Sequence, residues 1–181
     1  MILNEEEHVL NGNKIVFKSP CVEDAEMLIK YLKTVTGETP FLECGSDEVG
    51  LTLESEIEFI KSHNDSENDL LMLAFVNGEH AGNCSYRTVG SSRRNKHRAR
   101  LGIALYEKFT GLGLGKMMMT RMLEIVKDSG FEQAELFVIG GNERACRLYE
   151  SLGFVETGRV PNATKFDDGS YADEIYMVKT F

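Results

Sequence analysis

The stretch LGIALYEKFTGLGLGKMMMTRML, residues 101–123, decides the fold. Arg98–Tyr106 carries the apolar run of a strand, Gly115–Ser129 reads as a helix closed by Gly130 as its C-cap, and glycines at 111, 113 and 115 join the two. Three alternating glycines at a helix start imply that something must approach the backbone with no side chain between. The first N–H groups of a helix lack internal partners, and the helix dipole places about half a positive charge there, so the visitor is an anion, phosphate first. The spacing excludes two familiar phosphate motifs. Met117 stands where a P-loop needs a magnesium-binding Ser or Thr, and G-x-G-x-G is not the G-x-G-x-x-G of a dinucleotide fold. By itself the stretch reads equally as a tight strand-to-helix turn.

Working outward, Lys14–Lys18 reads as a first strand and Val22–Val35 as a helix after Ser19-Pro20, with Ala25, Leu28, Ile29 and Leu32 at helical spacing. Gly37–Leu51 has no period and reads as a loop; Leu53–His63 resumes a helix. Leu70–Val76 and His80–Val89 flank Asn77-Gly78, the dipeptide best suited to a two-residue hairpin turn. Ala134–Ile139 is a further strand, Asn142–Leu152 a helix stopped by Gly153, and Phe154–Arg159 with Tyr171–Phe181 a closing pair of strands. Antiparallel strands come first and a strand–helix–strand–helix unit later. The expected fold is therefore one α/β (α+β) domain over residues 1–181, with helices on both faces of a mixed sheet and residues 1–12 as an N-terminal extension.

A second motif narrows the chemistry. In NERACRLYESLGF, residues 142–154, Asn142 and Tyr149 stand two helical turns apart, about 10 Å along one face, with Ala145 and Cys146 between them. The plainer reading makes Asn142 an N-cap and Tyr149 a core residue at the rim.

The glycine turn and this helix together closely resemble the GNAT superfamily of N-acetyltransferases, most strongly over Arg98–Phe154. In that family an Arg/Gln-x-x-Gly-x-Gly/Ala turn binds the pyrophosphate of acetyl-coenzyme A, and an Asn…Leu-Tyr…Gly-Phe helix holds the pantetheine and acetyl end. The resemblance implies a GNAT-like, mostly antiparallel sheet. It also assigns the cofactor-binding residues: Thr110, Gly111, Leu112, Gly113, Leu114, Gly115 and Lys116 at the diphosphate, the main chain of Ile103 and Leu105 at the acetyl carbonyl and pantetheine, and Asn142. Thr110 stands where the family has Arg or Gln, which leaves the diphosphate to backbone amides, the Thr110 hydroxyl and Lys116. Tyr149 matches the general acid that protonates the departing thiolate.

Acetyl transfer to an amine also needs a proton acceptor, because a lysine-like amine of pKa about 10.4 costs about 4.6 kcal/mol to deprotonate at pH 7. Glu107, at the end of the strand before the glycine turn, is one candidate, with Glu38 and Glu43 as others; each is equally an ordinary solvated carboxylate. The loop containing Glu38, Phe41 and Glu43 resembles the family's substrate side. Between Glu38 and Glu58 there are seven acidic residues and no lysine or arginine, a field that favours a cationic amine. A non-catalytic acyl-coenzyme A sensor on the same fold is the alternative to an enzyme, and a nucleotide-binding domain on another fold is a more distant one.

Composition sets the outer limits. A net charge of −9 argues against nucleic-acid binding, and the basic run SSRRNKHRAR, residues 91–100, reads as a solvated loop between strands. The four cysteines and four histidines form no metal-ligand spacing, and Met117, Met118, Met119 and Met122 read as core filling, so no metal is expected. With no membrane-length apolar run and an acidic start, the chain reads as a cytoplasmic protein without a membrane partner. Oligomeric state, a homodimer included, is left open.

Overall fold

In chain order the elements of the computed structural model, which describes residues 1–181, are β1 (Glu6–Leu10), β2 (Asn13–Lys18), α1 (Ala25–Glu38), α2 (Leu53–Asp65), β3 (Leu70–Val76), β4 (Glu79–Thr88), β5 (Arg98–Leu105), α3 (Leu114–Asp128), β6 (Gln133–Ile139), α4 (Glu143–Ser151), β7 (Val155–Lys165) and β8 (Tyr171–Thr180). The strands form one sheet in the order β1-β2-β3-β4-β5-β6-β8-β7. Every neighbouring pair is antiparallel except β5 and β6, which α3 joins as a parallel crossover. The fold is thus the mixed α/β sheet expected from the element order, and mostly antiparallel as the resemblance implies.

Strand β3 shows why both faces are covered. Its run LLMLAFV does not alternate in polarity, because alternate residues enter two different cores: Leu70, Met72 and Ala74 join the large one and Leu71 and Leu73 the small one. The large core lies under α3, where Leu114, Met118, Met119, Met122 and Val126 are fully buried, and Leu148 of α4 and its C-cap Leu152 pack against it. The methionines are therefore core. The small core holds Ala25 and Leu28 of α1 and Ile60 of α2 on the opposite face. Over β6, β8 and β7 that second face carries no helix.

The N-terminal segment expected as an extension contributes the edge strand β1, paired to β2 from Glu6↔Phe17 to Leu10↔Asn13. Its turn, Asn11-Gly12, has φ of 51° and 81°, the same left-handed pair found at Asn77-Gly78 (51° and 86°). Arg121 of α3 binds the Glu6 carboxylate through Nε (2.9 Å) and Nη2 (2.7 Å), which ties β1 to the body of the molecule.

Gly82 is needed for close approach rather than for a turn. A Cβ there would lie 2.4 Å from the carbonyl oxygen of Ala104 and 2.8 Å from Cα of Leu105, both backbone atoms of the neighbouring strand. Gly82→Ala is expected to destabilise the protein by about 1–3 kcal/mol, the usual range for overpacking, seen as a lower denaturant midpoint; an unchanged midpoint would show that β5 gives way freely at this position.

Candidate functional site: a fork between two strands

The site begins where the parallel ladder ends. β5 and β6 pair only over Arg98↔Gln133, Ala99↔Ala134 and Arg100↔Glu135, and beyond this they diverge. Glu135 pins the last rung. Buried at 5% exposure, it accepts from Arg98 (Nε, 3.0 Å) on one carboxylate oxygen and from Arg100 (Nη2, 3.0 Å) on the other.

Strand parity decides what faces the opening. Val89 N–H donates to Arg98 O and Tyr106 N–H to Ala81 O, so the even-numbered residues of β5 turn their main chain toward β4. The odd-numbered Ile103 and Leu105 therefore present N–H and C=O groups toward the vacated β6 side. The splayed end is held in place by Tyr31 of α1, whose hydroxyl donates to Ala104 O at 2.7 Å.

Beyond the fork the chain makes a short 3-10 turn, Glu107–Phe109, and reaches the glycine turn. The three glycines serve three different purposes. Gly111 (φ 77°) and Gly113 (φ 88°) adopt left-handed backbone with open space where a Cβ would stand, apart from one ordinary contact of Gly113 with Leu10. Gly115 lies inside the first turn of α3, where a Cβ would meet Leu105, Leu148 and Ile103 at 3.5–3.9 Å, so its smallness brings β5, α3 and α4 together. Gly113 is the N-cap and offers no side-chain acceptor; the first turn of α3 contains no acid but does contain exposed Lys116. This is the reverse of normal helix charging, and it leaves the first-turn N–H groups of this 15-residue helix open to an anion. The Thr110 hydroxyl does not join them, because it donates to Glu107 O at 2.7 Å. Leu112 is exposed, and its carbonyl accepts from Asn11 Nδ2 at 3.1 Å, so the β1–β2 turn braces the glycine turn.

Helix α4 forms the other wall. Asn142 is its N-cap, with Oδ1 accepting from Ala145 N–H at 3.2 Å, so the plainer reading of this residue holds; its amide N–H groups remain available. Tyr149 is 7% exposed and packs edge-on to Phe154 at 5.9 Å. Burial holds its phenol far above the ordinary tyrosine range, with nearby Cys84 and Cys146 adding a little, so it is a protonated donor at neutral pH.

The loop between α1 and α2 closes over the mouth. Phe41 places its ring edge 3.7 Å from where a Cβ on Gly141 would be, immediately before α4. Glu38 accepts from Glu107 N–H at 2.8 Å, which brings the Glu38 carboxylate to the main chain just past the end of β5. Glu107 itself is exposed, as is Glu43 in its loop; neither makes an ion pair. Glu48 accepts from Gly45 N–H at 2.7 Å. Part of the acidity of this loop thus serves its own backbone. Three contributors escape a reading of the sequence: Tyr31, whose helical position looks like ordinary core, the pin at Glu135, and Asn11, for which the Asn-Gly dipeptide was an available signal.

A model of the Acetyltransferase (GNAT) family matches residues 37–154. MnaT of Escherichia coli, an L-amino acid N-acyltransferase, is 28% identical over 108 residues, covering 59% of this chain and 62% of its own, less than two thirds of that relative. Among solved structures, the acetyltransferase of GNAT family from Streptococcus pneumoniae matches with a TM-score of 0.86 at 28% identity, over 92% of this chain and 99% of its own. RimL, a ribosomal L7/L12 alpha-N-protein acetyltransferase solved in complex with coenzyme A, shares the fold at a TM-score of 0.76 and 16% identity, over 97% of this chain and 98% of its own.

The capping role of Asn142 is separable from any ligand. Asn142→Ala is expected to cost about 1 kcal/mol, within the range of about 0.5–2 kcal/mol for a lost cap, while Asn142→Asp stays near the parent in denaturant unfolding; an Ala variant as stable as the parent would mean the cap contributes nothing.

Proposed function

Because this chain belongs to the GNAT family of acetyltransferases, we propose that it transfers the acetyl group of acetyl-coenzyme A directly to a primary amine, with Tyr149 as the general acid. The observation that carries this reading is the fork itself. Ile103 and Leu105 turn free main chain toward the vacated side, α4 packs beside them through Leu148 at Gly115 and carries the buried Tyr149, and the uncapped start of α3 lies at the outer end. That arrangement suits a long ligand with a diphosphate at one end and a thioester at the other.

In this reading the diphosphate sits on the first-turn amides of α3 with Lys116 beside them, so Gly111 and Gly113 keep the approach clear. The acetyl carbonyl accepts from β5 main chain, which stabilises the oxygen as it gains charge. The amine nitrogen attacks the carbonyl carbon, the C–S bond breaks, and the Tyr149 hydroxyl, protonated because it is buried, gives its proton to the departing sulfur. With Thr110 in place of a long donor and its hydroxyl bound to Glu107 O, the diphosphate depends on backbone amides and Lys116 alone.

The acceptor enters where α1 and α2 give way to the helix-free part of the second face, beneath Phe41 and beside Glu38 and Glu43. MnaT is named for amino-acid acceptors and RimL for a protein α-amine, so the relatives span small molecules and peptides. The acidic loop favours an amine that arrives as a cation.

Two substitutions separate binding from chemistry. Tyr149→Phe is expected to lower kcat by roughly 100-fold or more with little change in coenzyme affinity; wild-type turnover would remove Tyr149 from the mechanism. Gly113→Glu places bulk and negative charge at the uncapped helix start and is expected to abolish coenzyme binding by calorimetry; undiminished affinity with the fold intact would put the diphosphate elsewhere.

A further inference from the structure

None of Glu38, Glu43 and Glu107 stands out as the group that takes the proton from the incoming amine, since Glu43 and Glu107 are solvated and Glu38 is bound to a backbone N–H. One other carboxylate in the molecule is unlike all of these. Glu56, in the first turn of α2, is 6% exposed, yet its carboxylate makes no hydrogen bond and no ion pair. Its neighbours Glu54 and Glu58 are exposed on the outer side of the same helix. Its oxygens keep some contact with solvent, but a carboxylate held largely buried with no partner in the protein costs stability, and groups kept in that condition concentrate at functional sites.

The course of α2 shows where Glu56 lies. Its buried residues are Glu56, Ile60 and His63, and Phe59 lies on the Glu56–His63 side of that stripe, under the Arg87 guanidinium of β4 at 5.4 Å. Asn64, at the far end of the helix, donates to Pro20 O, near the start of α1. Ile60 packs with Ala25 and Leu28, early in α1, so the two helices run antiparallel and the start of α2 lies near the later part of α1. There Tyr31 binds Ala104 O and Glu38 binds Glu107 N–H. Moving from Phe59 back to Glu56 therefore moves about 4.5 Å along the helix, from the level of Arg87 toward that of Ser85, which pairs with Gly102. Gly102 is two residues past Arg100, on the stretch of β5 that has left β6 beyond the Glu135 pin. Gly102 is exposed and has no side chain to fill the space above it.

We propose that Glu56 is the general base, receiving the proton of the acceptor ammonium at the fork. The inference rests on the acetyltransferase reading above. The proton of R–NH₃⁺ passes to the Glu56 carboxylate, giving R–NH₂ and the neutral acid. The amine nitrogen forms the C–N bond as the C–S bond breaks, Tyr149 protonates the thiolate, and the second amine proton restores the phenol. Glu56 then releases its proton to solvent, so the sum is R–NH₃⁺ plus thioester to amide, thiol and H⁺.

The surroundings suit this role. Burial alone raises the Glu56 carboxyl above the ordinary range, with no cation offsetting it. The cations on that sheet face are engaged elsewhere, Arg87 over Phe59 and Arg98 and Arg100 on Glu135. His63, seven residues along α2, is itself held below its ordinary value by burial, and Tyr31 of α1 is held above its own, so both are neutral at pH 7. The start of α2 supplies the helix-dipole field that steadies the carboxylate form. An approaching ammonium is the missing partner.

Glu56→Gln keeps shape and removes basicity. At pH 7 it is expected to lower kcat/KM for the acceptor about 100-fold, with KM for acetyl-coenzyme A unchanged and Tm unchanged or higher. The deficit narrows as pH rises toward the amine pKa, where the acceptor arrives already neutral. Glu56→Ala is expected to regain part of its rate with added formate. A Gln variant with wild-type activity, or one whose loss is the same at every pH with no formate rescue of Ala, overturns the assignment. Failure of the underlying reading looks different: the wild-type protein itself would release no thiol from acetyl-coenzyme A with any amine.

Discussion

The whole site depends on a ladder that is made to stop. Glu135 holds Arg98 and Arg100 across the last paired rung of β5 and β6, and three residues of parallel pairing are all that these strands share. A continuous ladder would have satisfied the backbone of Ile103 and Leu105 with β6. Because it does not, these residues keep polar main chain directed into a gap walled by α4, and a buried polar group left without a partner needs a ligand or water. Gly82 and Tyr31 fix the free end of β5 from the β4 side, one by allowing close approach and the other by binding Ala104 O. The opening is thus rigid on one side and open on the other.

Electrostatics divides the gap along its length. The chain is acidic overall, at −9, yet the start of α3 carries no acid, has a glycine cap, and adds Lys116 to the dipole's positive end. At the other extreme the acceptor side carries Glu38, Glu43 and the buried Glu56. An anionic coenzyme and a cationic amine are therefore drawn to opposite ends of one fork, and the reacting atoms meet between them.

Much of this was legible in the sequence, for local reasons. Asn77-Gly78 and the glycines at 111 and 113 announce left-handed backbone, which only certain residues tolerate, and both turns lie where the dipeptides place them. Strand β1 was missed although Asn11-Gly12 carries the same signal, because EEHVL has too few apolar residues to show a strand period. β7 extends to Lys165, beyond the expected Arg159, since every residue but Thr164 is exposed and no alternation marks its course. At the site, the glycine turn and the α4 motif could be read because their chemistry is local. Glu56 could not: in an acidic helix it looks like Glu54 and Glu58, and only the packing of α2 distinguishes it. The Thr110 hydroxyl, expected at the diphosphate, is committed to Glu107 O by a turn whose geometry no residue pattern revealed.

The central claim is that the main chain released by the fork and the uncapped turn of α3 together hold one extended ligand. Residue-resolved amide hydrogen exchange with and without coenzyme A tests it most directly. Slowed exchange at Ile103, Leu105, Leu114, Gly115 and Lys116, with β1–β4 amides unchanged, is the expected result. Exchange at Ile103 and Leu105 that is indifferent to saturating coenzyme A, or protection confined to another surface, would contradict the account.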